Sequence, residues 1–143
     1  MAFAAAVSDQ FKQDMLNGRA FSSDTIKIAL GLQASATTWN ASLATYTTTG
    51  ELATSNGYTQ GGISLSGFTV GISTNTAYLT WSSNPSWTAT GAGFTSDCAV
   101  IYDSSNSNHV LAVLSFGSTT ASGGGTFTVQ LPAAGASSTI TIS

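Results

Sequence analysis

The feature that most constrains this chain is a change of hydrophobic period just after Asn17-Gly18. Before it, Phe3, Val7, Phe11 and Met15 recur every four residues, with Leu16 beside them, which makes one apolar stripe on a helix. Lys12, Gln13 and Asp14 fall elsewhere on the wheel, and Asn17-Gly18 supplies a stop. This predicts a helix over residues 1–17 and no second one. After it, the period becomes two. Ile26, Ile28, Leu30 and Leu32 share one parity and so one face of a strand.

The rest of the chain keeps to short strands between turn signals. From Gln33 to about Tyr58 it is mostly Ser, Thr, Ala and Asn, with isolated Trp39, Leu43, Tyr46 and Leu52, which reads as a long connection. Asn56-Gly57 and Gly61-Gly62 mark turns. Ile63, Leu65, Phe68, Val70 and Ile72 alternate, but the parity switches at Ser66-Gly67, which predicts a bulge or bend at Gly67. Ala77 to Trp81 is a short strand, and Asn84-Pro85 breaks the chain before Trp87. Cys98 to Tyr102 is nearly continuous apolar sequence, as expected of a strand covered on both faces. A polar turn from Asp103 to Asn108 joins it to a second apolar run, His109 to Phe116, so the pair reads as a central hairpin. Gly123-Gly124-Gly125 is a further turn. Phe127, Val129 and Leu131 alternate up to Pro132, and Ile140 and Ile142 make a last short strand.

Seven or so short strands predict a mostly β chain, an antiparallel β-sandwich or jelly-roll-like barrel with one N-terminal α-helix. The 143 residues suit a single β domain spanning 1–143, helix at 1–17 and strands and loops at 24–143. No repeat of 20–50 residues and no dividing linker stands out.

Composition bounds the partners. Only 6% of residues are charged, against about 25% in ordinary soluble domains. The basic residues are Lys12, Arg19 and Lys27, and the 116 positions after Lys27 carry acids only at Glu51, Asp97 and Asp103. A net charge of -3 with no basic patch argues against nucleic acid as a partner. The apolar runs are too short for a membrane span, so no membrane partner is expected. The N-terminus lacks a basic n-region and reaches Asp9 too soon for a secretory signal. Ser and Thr make up about 30% of the chain and replace charge as its polar surface. Hydroxyls are cheaper to cover than ions, which suits a chain packed against other proteins.

Catalytic constellations are scarce. His109 is the only histidine and sits at the start of an apolar strand, where a structural role is expected. Cys98 is the only cysteine, so no intrachain disulfide can form, and its apolar neighbours imply an inert, packed thiol. One of each cannot make a usual zinc site. Asp97 and Asp103 flank one strand, about 20 Å apart along straight extended chain, too far for a glycosidase pair. Both are expected in turns. The Asp103–Asn108 stretch lacks the spacing, glycine and final glutamate of a calcium loop. The chain is therefore expected to need no catalytic residue, metal or cofactor. Trp81 should pack in the core, whereas Trp87, in a polar loop after a proline, is the aromatic expected to be exposed. Phe3, Val7, Phe11 and Trp87 are the candidate protein-contact residues, with packing of the helix stripe on its own sandwich as the competing role.

The order of several segments resembles that of small tailed-bacteriophage virion proteins of the capsid decoration, or cement, kind. The segments are Met15-Leu16-Asn17-Gly18, Asp24-Thr-Ile-Lys-Ile-Ala-Leu30, Gly50-Glu-Leu-Ala-Thr-Ser-Asn-Gly-Tyr-Thr-Gln-Gly-Gly62, Ala99-Val-Ile-Tyr-Asp103 and Gly125-Thr-Phe-Thr-Val129. The resemblance implies a β domain that binds the major capsid protein on the outside of the head, often as an oligomer at local symmetry axes. It implies a homo-oligomer, with a trimer favoured, located on the virion surface after assembly in the host cytoplasm. It implies no catalytic residues. This chain is poorer in charge than the resemblance leads one to expect. A tail- or fibre-associated module that stacks a glycan on Trp87 and nearby aromatics is the alternative.

Overall fold

The computed structural model describes residues 3–143. The chain is mostly β, with antiparallel sheets, one short helix near the N-terminus and the character of a β-sandwich.

The N-terminal segment shows why the expected helix is shorter than its stripe. A two-residue strand, β1 (Ala6–Val7), comes first, and the helix α1 spans only Asp9–Leu16. Ser8 sets that boundary. Its backbone is extended, and its hydroxyl accepts the Gln10 N–H at 3.0 Å, so it caps the helix. Its own N–H donates to the Leu111 carbonyl at 2.9 Å, which continues the strand pairing of β1 up to the cap. A four-residue apolar period cannot distinguish a helix from a strand that runs into a capped helix, because both turn Val7 and Phe11 toward the core. Of the expected span 1–17, Met1 and Ala2 lie outside the described residues. At the far end Gly18 takes φ +77°, the left-handed geometry of a helix stop.

The main sheet is built on the two long apolar runs. β2 (Ile26–Gly31), β7 (Phe94–Asp103) and β8 (His109–Ala121) form its centre, and β1 and β3 (Ile63–Ser64) its edges, in the order β1-β8-β7-β2-β3. A second sheet contains β4 (Phe68–Ser73), β5 (Thr76–Trp81) and β10 (Ile140–Ile142) in the order β10-β5-β4. A two-stranded ribbon joins β6 (Ser86–Thr88) to β9 (Thr126–Thr128). The parity switch at Gly67 is the crossing between sheets. β3 ends in one sheet and β4 begins in the other, and Gly67 turns the chain with φ +74°. A Cβ there would stand 1.8 Å from the Ser82 hydroxyl.

Between the sheets lies the main core, which includes Phe11, Ile28, Leu30, Tyr58, Trp81, Ile101, Leu111 and Phe127. The opposite face of the five-stranded sheet is also covered. Ala29, Cys98, Val100, Tyr102, Val110 and Val113 pack there against Ala36, Trp39 and Tyr46 of the 33–58 connection. That second layer is why β7 reads as an unbroken apolar run.

The connection is held by specific bonds. Tyr46 stacks on Tyr102 with ring centroids 4.0 Å apart, and the Trp39 indole N–H donates to the Thr49 carbonyl at 3.0 Å. Glu51 is its hub. Its carboxylate accepts the Tyr46 hydroxyl, the Tyr58 hydroxyl at 2.5 Å and the Gly61 N–H at 2.7 Å. Burial, reinforced by these bonds to Glu51, pushes both tyrosine hydroxyls well above their ordinary pKa.

Candidate protein-docking face

Strand register arranges the three-stranded sheet into rows of apolar side chains on one face. Phe68 stands opposite Trp81, Val70 opposite Leu79, and Ile72 opposite Ala77. On the other side of β5, Ile140 stands opposite Leu79 and Ile142 opposite Ala77. The three rows are therefore Phe68–Trp81, Val70–Leu79–Ile140 and Ile72–Ala77–Ile142. The first row packs into the main core. The third does not: Ile72 is 78% exposed, and Ile142 and Ala77 are also exposed. Val70, in the middle row at the sheet edge, is 64% exposed.

A groove of about 220 Å³ runs between this sheet and α1. Phe11, Met15 and Phe21 form one wall, and Val70, Leu79 and Ile140 form the other. Arg19 also lines it, but its guanidinium is held within the chain. It donates to Asp24 at 2.7 Å and to Asp103 at 3.3 Å. The bond to Asp24 raises its pKa further.

Among the described residues, the large apolar side chains left exposed are Met15, Leu16, Val70, Ile72 and Ile142. Met15, Val70 and Ile142 line the groove, Ile72 lies in the adjoining row, and Leu16 follows Met15 at the helix end. Scattered exposed apolar residues carry no meaning, whereas a gathered set marks an interaction surface.

The residues singled out from the sequence fall elsewhere. Phe3 is half-buried against the Trp39 layer, and Val7 is half-buried against the main core. Phe11 is 1% exposed and serves the groove only as part of its wall. The larger correction is Trp87. It lies in β6 and is buried, with its ring 6.0 Å from Tyr58 and 6.2 Å from Phe127. Proline at position 85 ends one segment without exposing the next, because β6 pairs at once with β9. Its indole N–H is buried without a hydrogen-bond partner. Val70, Ile72 and Ile142 carried a strand-alternation signal in the sequence, but alternation shows which side chains share a face, not whether that face is covered.

The polar residues weighed as catalysts serve as braces. His109 Nδ1 lies 2.9 Å from Asp14 Oδ2 and 3.1 Å from Asn106 Nδ2, which ties α1 to the β7–β8 turn. Asp103 is fully buried at the end of β7, where it pairs with Arg19 and accepts the Ser105 N–H at 2.9 Å. Burial and the nearby Asp24 carboxyl raise its pKa, against the opposing pull of Arg19. Asp97, expected in a turn, lies within β7 and accepts the Gln33 N–H at 2.7 Å. Cys98 is buried, and burial together with the Asp97 charge pushes its thiol up to about 12. Among the described residues no three His, Cys, Asp or Glu side chains group to hold a metal, and no helix is long and apolar enough to cross a membrane.

No family model matches the chain, and no curated protein or solved structure matches it.

Proposed function

We propose that this chain is a structural virion protein of the decoration class, which binds the outside of a phage capsid and stabilises the shell without catalysing a reaction. The observation that carries the reading is the gathering of exposed apolar side chains on one face, beside a groove whose charged lining residue, Arg19, is paired within the chain. The ordered segments that resemble decoration proteins supply the partner, the major capsid protein. The contact residues are then Met15, Val70, Ile72 and Ile142, in place of Phe3, Val7, Phe11 and Trp87.

The energetics favour many copies. Fully burying a large apolar side chain contributes about 1.5–3 kcal/mol, and these four are already partly covered. Their sum is comparable to the roughly 4–15 kcal/mol that association costs. A single copy would bind weakly, and repeated engagement on a symmetric shell would make the attachment stable. The glycan-binding alternative relied on an exposed Trp87 and has no support left in a buried one.

The test compares heads with and without this protein under heating and osmotic shock, together with heads mixed with the Ile142→Lys or Met15→Lys protein. Decorated heads should survive longer, and both variants should bind less. Equal survival of bare and decorated heads would sink the proposal.

A further inference from the structure

A second surface lies along the rim of the same sheet. β4 is six residues long and among the described residues pairs only with β5, which leaves its other edge without a strand partner there. The other strands that end a sheet are shorter: β1 and β3 have two residues each, and β6, β9 and β10 have three. The hydrogen-bond phase of the hairpin fixes which groups face outward. Ser82 N–H donates to the Gly67 carbonyl at 3.0 Å, so Gly67 and Ser82 form a hydrogen-bonded pair. By alternation, Thr69, Gly71 and Ser73 also bond to β5, and the N–H and C=O groups of Phe68, Val70 and Ile72 point away from it.

Such an edge is a template for another strand, and proteins that keep it free protect it with lysine, proline or a bulge. β4, Phe68-Thr-Val-Gly-Ile-Ser73, has none of these. Only an extended segment can satisfy the row of main-chain groups, and β4 itself fits. A two-fold axis perpendicular to the sheet, midway between Val70 and its symmetry copy, reverses the strand direction and preserves the faces. It sets Val70 opposite the second copy's Val70 and Phe68 opposite its Ile72, so the outward-pointing groups bond to each other in about six hydrogen bonds. The apolar rows continue across the seam, uncharged residue against uncharged residue. The net charge of -3 gives little repulsion between copies.

We infer that β4 pairs antiparallel with β4 of a second copy, joining two three-stranded sheets into one of six strands. The contact is isologous and closes at two chains, in place of the trimer that the family resemblance implies. It also doubles the apolar face proposed to dock on the capsid, but it does not depend on that docking.

The test is the mass of the purified protein in solution, by light scattering over a concentration series, for the wild type and for Val70→Pro and Ile72→Pro. Proline is tolerated on an edge strand where the N–H faces solvent, so these changes should spare the monomer while deleting intermolecular bonds. The wild type should have twice the mass of one 14.4 kDa chain. Each proline variant should raise the dissociation constant at least about tenfold, with unchanged tryptophan fluorescence, and Ile142→Lys should remain a dimer. Amide exchange of the wild type gives a readout that needs no variant: Phe68, Val70 and Ile72 should exchange more slowly as concentration rises. A monomeric or trimeric wild type, a proline variant that folds and dimerises normally, or concentration-independent exchange at these amides would overturn the inference. A monomeric wild type that protects heads would leave the decoration reading standing, and a dimeric wild type that fails to bind heads would leave the pairing standing.

Discussion

Removing the Glu51 carboxylate should detach the 33–58 connection from the sheet it covers. The carboxylate accepts three donors, the Tyr46 and Tyr58 hydroxyls and the Gly61 N–H. Tyr58 in turn accepts the buried Leu30 N–H at 2.9 Å, so the hub reaches the centre of β2. Hydrogen bonds to a charged group contribute about 1.5–3 kcal/mol each, or about 4.5–9 kcal/mol for the three. Desolvating the carboxylate cancels several kcal/mol of that. Glu51→Ala also strands two tyrosine hydroxyls that are almost fully buried. The expected loss is about 3 kcal/mol. Glu51→Gln preserves the shape and one acceptor and should lose about 1–2 kcal/mol. Urea unfolding followed by tryptophan fluorescence measures both. With a slope of about 2 kcal/mol per molar urea, Glu51→Ala should lower the midpoint by about 1.5 M. Tyr58→Phe and the double variant complete a cycle, in which the two losses should overlap by at least about 1 kcal/mol. A loss below about 1 kcal/mol for Glu51→Ala, or strict additivity in the cycle, would refute the hub.

Alkaline pH should weaken the fold through its buried acids. Tyr102 is pushed up to about 12 by burial and the Glu51 charge, and Cys98 up to about 12 by burial and Asp97. The folded chain therefore keeps protons that the unfolded chain releases, from about pH 8.5 for the thiol and about pH 10 for the phenol. The contribution of these two groups should be level below about pH 8, and stability should fall by up to about 1.4 kcal/mol per pH unit per group above those values. Urea midpoints that stay constant to pH 11 would contradict it. Along the helix, Phe11→Ala should cost about 3–5 kcal/mol in urea unfolding because it opens the core, whereas Leu16→Ala, at a side chain 90% exposed, should change stability by less than about 0.5 kcal/mol. Comparable costs at the two positions would mean that the stripe faces the core along its whole length.

Sequence periodicity was enough to find the longer strands, but not β1 or β6. Ile26, Ile28 and Leu30 alternate because one face of β2 meets the core, and the run from Cys98 to Tyr102 is continuous because β7 is covered on both faces. Turn chemistry was legible too. Asn17-Gly18 stops the helix, and Gly67 turns the chain where the parity switches. These are local effects, set by backbone sterics and by the two-residue repeat of a strand.

Tertiary structure decided everything that depends on what lies opposite. Phe3, Val7 and Phe11 form a stripe at helical spacing, yet Ser8 caps the helix so late that Val7 is in a strand, and distant Leu111 helps hold it there. Trp87 follows a proline in polar sequence, yet Phe127 and Tyr58 close over it from segments about 30–40 residues away along the chain. Val70 and Ile72 have the alternation of any core strand, yet both are left largely exposed by the described residues. The sequence by itself determined a mostly β chain, with one short helix and little charge. Which of its apolar faces became core and which stayed bare was decided by pairing between remote segments, because burial belongs to two surfaces and a local pattern describes only one of them.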